Sequence, residues 1–425
     1  MDKSRVFADL GLITETMVGD DLFNPVHIRY TAVLDHEIND KIIVKAWDRT
    51  KRVFPVVDTV LEAEHGGADF YMKPENSGKY TDDHLYLIKP ESGSNVPIKT
   101  KIPVSPGSDV VGGRVICVSY YGNTIALSMY HAAVDAGGFK MIASTFLYIY
   151  LALYTGHEDE NPPVELTEGR EPKEYYQPIS AEYVYKQEYN PVLLYTLPTP
   201  CRGFYDDDMV REDGHVYSGG INVSVKDFIG FCKKNGANPS VMMCTLLAKA
   251  AYALNPDEKR GIVFDLTISA RKVLGFENNV ANVIGLSTSY ISREDVMNKT
   301  IAEISQNIRS DLERQRTRDY ILSLYRFFHA YEHIPLVKSR TVTYMGALDI
   351  GDNNSHILDF SMETNSIYNL FMFQLNDNFA LTLQYGKATE KYLNELDKIF
   401  SELGIKAEIT HLSHIVENDV TAAVL

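Results

Sequence analysis

His131 and Asp135 are the residues of this chain whose types and spacing point most directly to chemistry. An imidazole near neutral pH both takes and gives a proton, so a firmly held histidine is suited to general-base work. The two residues sit in the run Tyr130-His131-Ala-Ala-Val-Asp135-Ala136-Gly137-Gly138. A second group, His329-Ala-Tyr-Glu332-His333, fits the H-x-x-E-H zinc pattern, with two histidines one helical turn apart and a glutamate beside them. That pattern is short, stops just before Pro335 and has no evident third ligand, so zinc hydrolysis is the weaker reading and no metal is expected. The cysteines, Cys117, Cys201, Cys232 and Cys244, form no C-x-x-C pair and no disulfide framework. There is no G-x-S-x-G elbow, no phosphate-binding G-x-x-x-x-G-K-[ST] loop and no G-x-G-x-x-G fingerprint.

The elements around His131 must hold it still. Ile125 to His131 alternates as a strand does: Ile125, Leu127, Met129 and His131 share one face, and Ala126, Ser128 and Tyr130 the other. Phe139, Ile142, Phe146, Ile149, Tyr150 and Leu153 make one stripe of a helix over about 139–154. Gly137 and Gly138 lie between, where a side chain would obstruct the turn. A strand, a tight turn and a buried helix together make a rigid mount for an imidazole.

Upstream, His27–Leu34 reads as a strand, and Asn39-Asp40 caps a helix from Lys41 to about Phe54. Short strands are predicted at 70–72 and 84–88, with loops filling the rest of 73–113. A hairpin turns at Gly122-Asn123 between strands at 114–120 and 125–131. Residues 157–215, rich in Glu, Pro, Tyr and Asp, read as a long irregular connection. The second half restarts with a strand at 220–225, a helix at 226–234, and a helix opened by Asn238-Pro239 that runs through Leu254. A strand at 261–269, one long helix at 294–333, strands at 340–346, 367–375 and 379–385, and a helix at 390–403 complete it. This divides the chain into an N-terminal lobe (1–175), a linker or crossover (176–215) and a C-terminal lobe (216–425). The order suggests two α/β sandwiches of related layout meeting at a site.

The chain has 425 residues, 45% hydrophobic and 23% charged, with a formal net charge of −16. That composition is globular, and the charge argues against nucleic acid or an anionic membrane as a general partner. The N-terminus lacks the basic start and apolar core of a signal peptide, and no apolar run approaches the roughly 20 residues of a membrane span. The expected location is the cytoplasm.

The run at 130–137 resembles the His-His-x-x-x-Asp-Gly signature of the CoA-dependent acyltransferase superfamily. That group includes chloramphenicol acetyltransferase, alcohol acetyltransferases, plant BAHD-type acyltransferases and the condensation domains of nonribosomal peptide synthetases. Three further stretches resemble it: 225–254, with its pair of helices; FDLTISARKVLGFENNVANVIGLS at 264–287, with Ser-x-Arg and Asn-x-x-Gly positions at Asn282 and Gly285; and TYMGALDIG at 343–351. The resemblance spans about 25–405 and is nearest to stand-alone alcohol-acetyltransferase-like proteins. Tyr130 stands where the signature has its first histidine, and Ala136 where it has glycine. Tyr130 points away from His131 by strand parity, and Gly137 is left to take any strained conformation the turn needs.

The resemblance implies an α/β (α+β) fold of two chloramphenicol-acetyltransferase-like sandwich lobes, with mixed sheets, flanking helices and an active-site tunnel at their junction. It implies transfer of an acyl group from a CoA thioester to a hydroxyl or amine of a small acceptor. His131 is then the general base and Asp135 the other residue of the catalytic motif, paired with Arg271 from the other half. Arg271, Gly137 and Tyr130 organise the site, and Thr343, Tyr344 and Asn282 are candidates for oxyanion or substrate contact. Acyl-CoA is a co-substrate, with no tightly bound cofactor. The alternatives are a condensation-like domain using an acyl or peptidyl carrier-protein thioester, and a non-catalytic binding protein of the same fold.

Overall fold

The structure, a computed structural model, describes residues 8–9, 27–63, 86–90, 95–106, 111, 114–131, 133–192, 194, 203–210, 215–330 and 339–416. The strand predicted at 70–72, most of the 329–333 histidine pattern and Cys201 lie outside these residues.

In the first half the strands are β1 (Ala8–Asp9), β2 (His27–Leu34), β3 (Thr59–Ala63), β4 (Tyr86–Pro90), β5 (Ile98–Lys99), β6 (Ile116–Tyr121) and β7 (Thr124–Tyr130). Asn39 caps the helix Asp40–Val53 by accepting from the Lys41 and Ile42 amides, at 3.0 and 3.1 Å. The β6–β7 hairpin turns at Gly122, whose φ of +57° suits glycine. The central helix spans Ala136–Thr155, three residues earlier than its apolar stripe suggests, because Asp135 caps it.

The second half contributes β8 (His215–Ser224), β9 (Ile262–Ser269), β10 (Ile284–Ile291), β11 (Arg340–Ala347), β12 (Ile357–Thr364), β13 (Asn369–Leu375), β14 (Asn378–Gln384) and β15 (Ala407–Val416). Helices Val225–Lys234, Pro239–Leu254 and Thr389–Glu402 match the sequence reading closely. The single helix expected over 294–333 is instead three: Arg293–Asn298, Ile301–Gln315 and Arg318–Ala330. The first break is at Thr300, which opens a new helix through a reciprocal capping box with Glu303. The second is at Thr317, whose hydroxyl accepts from the Tyr320 amide.

Two mixed sheets result, flanked by helices. One has five strands in the order β12-β2-β7-β6-β5, and the other seven in the order β10-β9-β11-β13-β14-β8-β15. Strand β12, unanticipated from the sequence, leaves the second half and pairs antiparallel with β2 of the first. Arg29 and Glu363 face each other across that pairing, buried, with 3.8 Å between charged atoms. The core of the first sheet gathers around the central helix and also takes in Val280, Ala281, Phe371 and Phe373 from later in the chain. The halves therefore share packing rather than sitting side by side.

The central helix is the one described segment long and apolar enough to cross a membrane, a property the sequence reading did not notice. Its residues from Ile142 to Ala152 are buried in the protein, so internal packing accounts for its composition.

Candidate active site

His131 lies just beyond the end of β7, and Asp135 immediately precedes the central helix. The described residues of the turn from His131 to Asp135 are held from both sides. Within the first half, the Ala133 amide donates to the Tyr130 carbonyl at 3.1 Å. From elsewhere, the Tyr176 hydroxyl donates to the Ala133 carbonyl at 2.8 Å, and the Asn282 amide donates to the His131 carbonyl at 3.1 Å. An isolated bridge pairs Val134 with Ala281.

Asp135 and Arg271 form a buried two-pronged ion pair. Arg271 Nη2 donates to Oδ1 at 2.7 Å and Nη1 to Oδ2 at 3.0 Å. The carboxylate also accepts from the Gly138 amide at 2.7 Å and the Val283 amide at 2.9 Å. The guanidinium spends its remaining donors on the Asn279 and Ala281 carbonyls and the Ser269 hydroxyl, at 2.5, 3.0 and 3.3 Å. A buried pair with so many partners meets the condition under which such charges are tolerated. Asn279, absent from the sequence reading, grips the Gln177 backbone with both ends of its amide and accepts from the Ala281 amide.

Glycine is needed here for closeness rather than for positive φ; neither Gly137 nor Gly138 is in the left-handed region. A β-carbon on Gly138 would fall 2.0 Å from the Val280 carbonyl oxygen, and one on Gly137 would fall 2.9 Å from Arg271 Nη1. The expectation that Gly137 absorbs strain in place of Ala136 is thus not met. Ala136 is simply the first helical residue, buried, its carbonyl accepting from the Tyr30 hydroxyl at 2.7 Å. Tyr130 is buried in the first core.

A cavity of about 490 Å³ opens at this point, walled by both halves; His131, Asp135, Gly137, Arg271, Thr343 and Phe371 are among the residues that line it. His131 is partly exposed, while its Nδ1 is buried and makes no hydrogen bond of good geometry. Burial holds its pKa below the usual imidazole value, against a smaller opposing pull from its own carbonyl, Asp135 and the Val134 carbonyl. With Nδ1 buried, Nε2 is the ring nitrogen left to act at the cavity.

Thr343 and Tyr344 both line the cavity, with Thr341 and Met345 of the same strand; the Tyr344 ring also packs edge-on against Phe379 of the second core, 5.9 Å between centroids. Asn282 serves the His131 backbone. Lys140, also absent from the sequence reading, lines the same cavity. The signal for it was available: it is the one charged residue among the 20 of the central helix.

Two clusters among the described residues could offer three ligand atoms to a metal, Asp35-His36-His356 and His157-Asp159-Asp352. Both sit at the far end of the central helix, where His36 stacks on Tyr154, about 30 Å from Asp135 at 1.5 Å per residue. Neither feeds the cavity. The thiols of Cys117 and Cys232 are pushed up to about 12 by burial, which makes them poor nucleophiles.

No protein-family model matches the chain, and no curated protein matches it. Solved structures do. Polyketide synthase associated protein 5 from Mycobacterium tuberculosis aligns over 93% of this chain and 97% of its own, at 12% identity and a TM-score of 0.63. TRI101 of F. sporotrichioides, complexed with coenzyme A and T-2, aligns over 94% and 99%, at 10% identity and a TM-score of 0.61. The first condensation domain of the CDA synthetase aligns over 95% and 97%, at 11% identity and a TM-score of 0.60. The chain shares the fold of these structures, two mixed-sheet lobes flanked by helices.

Proposed function

We propose that this protein is an acyltransferase that moves an acyl group from a CoA thioester to a hydroxyl or amine of a small acceptor. The observation that carries the reading is the position of the His131 ring on the wall of a cavity built by both halves. The fold supports it at the level of class, since neighbours include a protein complexed with coenzyme A and a condensation domain.

In this reading Nε2 of neutral His131 takes the acceptor's proton as the oxygen or nitrogen attacks the thioester carbonyl. The tetrahedral intermediate carries an oxyanion, for which the hydroxyl of cavity-lining Thr343 is a candidate donor. Collapse breaks the carbon–sulfur bond, and the imidazolium returns the proton to the leaving thiolate. Asp135 is a positioning residue, because both of its oxygens are occupied by Arg271 and backbone amides. Acyl-CoA is a co-substrate rather than a resident group. The buried free thiols accord with a cytoplasmic enzyme.

The test is release of free thiol from acetyl-CoA, or from an acetylated carrier protein, across a panel of alcohols and amines. Turnover with either donor, lost by about 10²- to 10⁴-fold in His131→Ala, is the expected result. Turnover with the carrier protein alone would move the reading to a condensation-like enzyme. No thiol release from any donor would make it a binding protein.

A further inference from the structure

Lys140 is a charge in an unusual setting. It lies on the central helix, whose other 19 positions carry no charge, and its side chain lines the same cavity as His131. A helical side chain leans back toward the N-terminus, so the ammonium reaches toward the end where the site is built. Nζ donates to the Met345 carbonyl at 2.7 Å. That carbonyl is offered by an irregularity in β11, between Tyr344 and Ala347, where Gly346 adopts a φ of +74°.

An ammonium has three donors, and one carbonyl uses only one. Among the described residues Lys140 makes no salt bridge. The acid whose charge acts on it, Asp349, is exposed, and burial lowers the lysine's pKa more than Asp349 raises it. The other cavity carboxylate, Asp135, is neutralised by Arg271. The wall therefore carries one uncompensated positive charge. The hydroxyl of Thr341 lines the same space and can add a hydrogen bond to a small oxyanionic group.

We propose that Lys140 forms a carboxylate-binding subsite of the cavity, so that one of the two substrates bears a free carboxylate distant from the reacting carbon. This rests on the acyl-transfer reading and narrows its substrate class. The carboxylate can belong to the acyl chain or to the acceptor, and two matched comparisons separate the sources. One sets succinyl-CoA against butyryl-CoA with a neutral alcohol. The other sets 3-hydroxybutanoate against its methyl ester with acetyl-CoA.

The wild-type protein is expected to favour the carboxylate member of one pair by at least about 10-fold in kcat/KM. That ratio should collapse toward one in Lys140→Met and survive in Lys140→Arg, with thermal unfolding of both variants confirming the fold. Neutral members preferred in both pairs, or ratios unchanged in Lys140→Met, would overturn the proposal. Direct calorimetry with succinate keeps this separate from the catalytic reading. Succinate binding lost in Lys140→Met, in a protein that transfers no acyl group, would leave the subsite standing and remove the enzyme; wild-type protein that turns over neutral pairs but binds no succinate would do the reverse.

Discussion

The central helix has histidine and aspartate gathered at each of its ends, and the two groups live in different surroundings. At its start, Asp135 is buried, locked to Arg271 and two backbone amides, and His131 borders a cavity between the halves. At its finish, Asp35 accepts from His36 at 2.5 Å and from His356 at 2.9 Å, with two-fifths of its side chain in water. Hydrogen bonding to His36, more than any other cause, holds the Asp35 carboxyl below its usual range. At the start, removal from water is the leading influence on the imidazole. The same residue types thus border a cavity between the halves in one place and make a solvated surface cluster in the other. Burial between the halves makes the difference.

The sharpest way to break the comparison is to remove a carboxylate from each end. Asp135→Ala leaves Arg271 charged and buried without its counter-ion, an expected loss of about 3–5 kcal/mol in unfolding free energy by denaturant titration. Asp35→Ala removes an exposed partner and is expected to cost about 1 kcal/mol or less. Equal losses would mean that the buried pair is not what fastens the turn.

A smaller effect is expected from Gly138→Ala. Its methyl group would strike the Val280 carbonyl, so the helix start must back away from the 279–283 segment. We expect a cost of about 1–3 kcal/mol, with loss of turnover beyond what stability explains. Gly156→Ala, at the helix finish, meets open space and tests only the strain of a φ of +72°. Its turnover per folded molecule should be unchanged.

The mildest probe is pH. With the folded pKa of His131 held below 6.5, log kcat/KM should be flat through neutrality, persist where an ordinary imidazole is already protonated, and fall only below that. The linked stability has the same sign. The unfolded state binds the proton more readily, so this contribution is present above the unfolded pKa and lost as pH falls through the folded one. An inflection above 6.5 would mean the ring is not desolvated as described.

Much of this was legible in the residues. The alternation of 125–131, the apolar stripe after 139, the Asn39 and Asn238 caps and the Gly122 turn each follow from local rules, and each element lies close to its expected span. Their local signals agree with the global packing. What was missed depended on partners far away. Strand β12 is a short segment whose identity rests on pairing with β2, over 300 residues earlier. Asn279 looks like any loop asparagine until Gln177 lies opposite it. The helix breaks at Thr300 and Thr317 were readable from capping chemistry, but charged and apolar residues at helical spacing ran across them and outweighed it. That Tyr344 both borders the cavity and packs against Phe379 could not be read from β11 alone.

The most direct measurement is thiol release by three proteins side by side: the wild type, His131→Ala and His356→Ala. The account requires turnover in the wild type, near-complete loss in the first variant and little change in the second. Equal turnover in the two variants, or loss confined to His356→Ala, would contradict it.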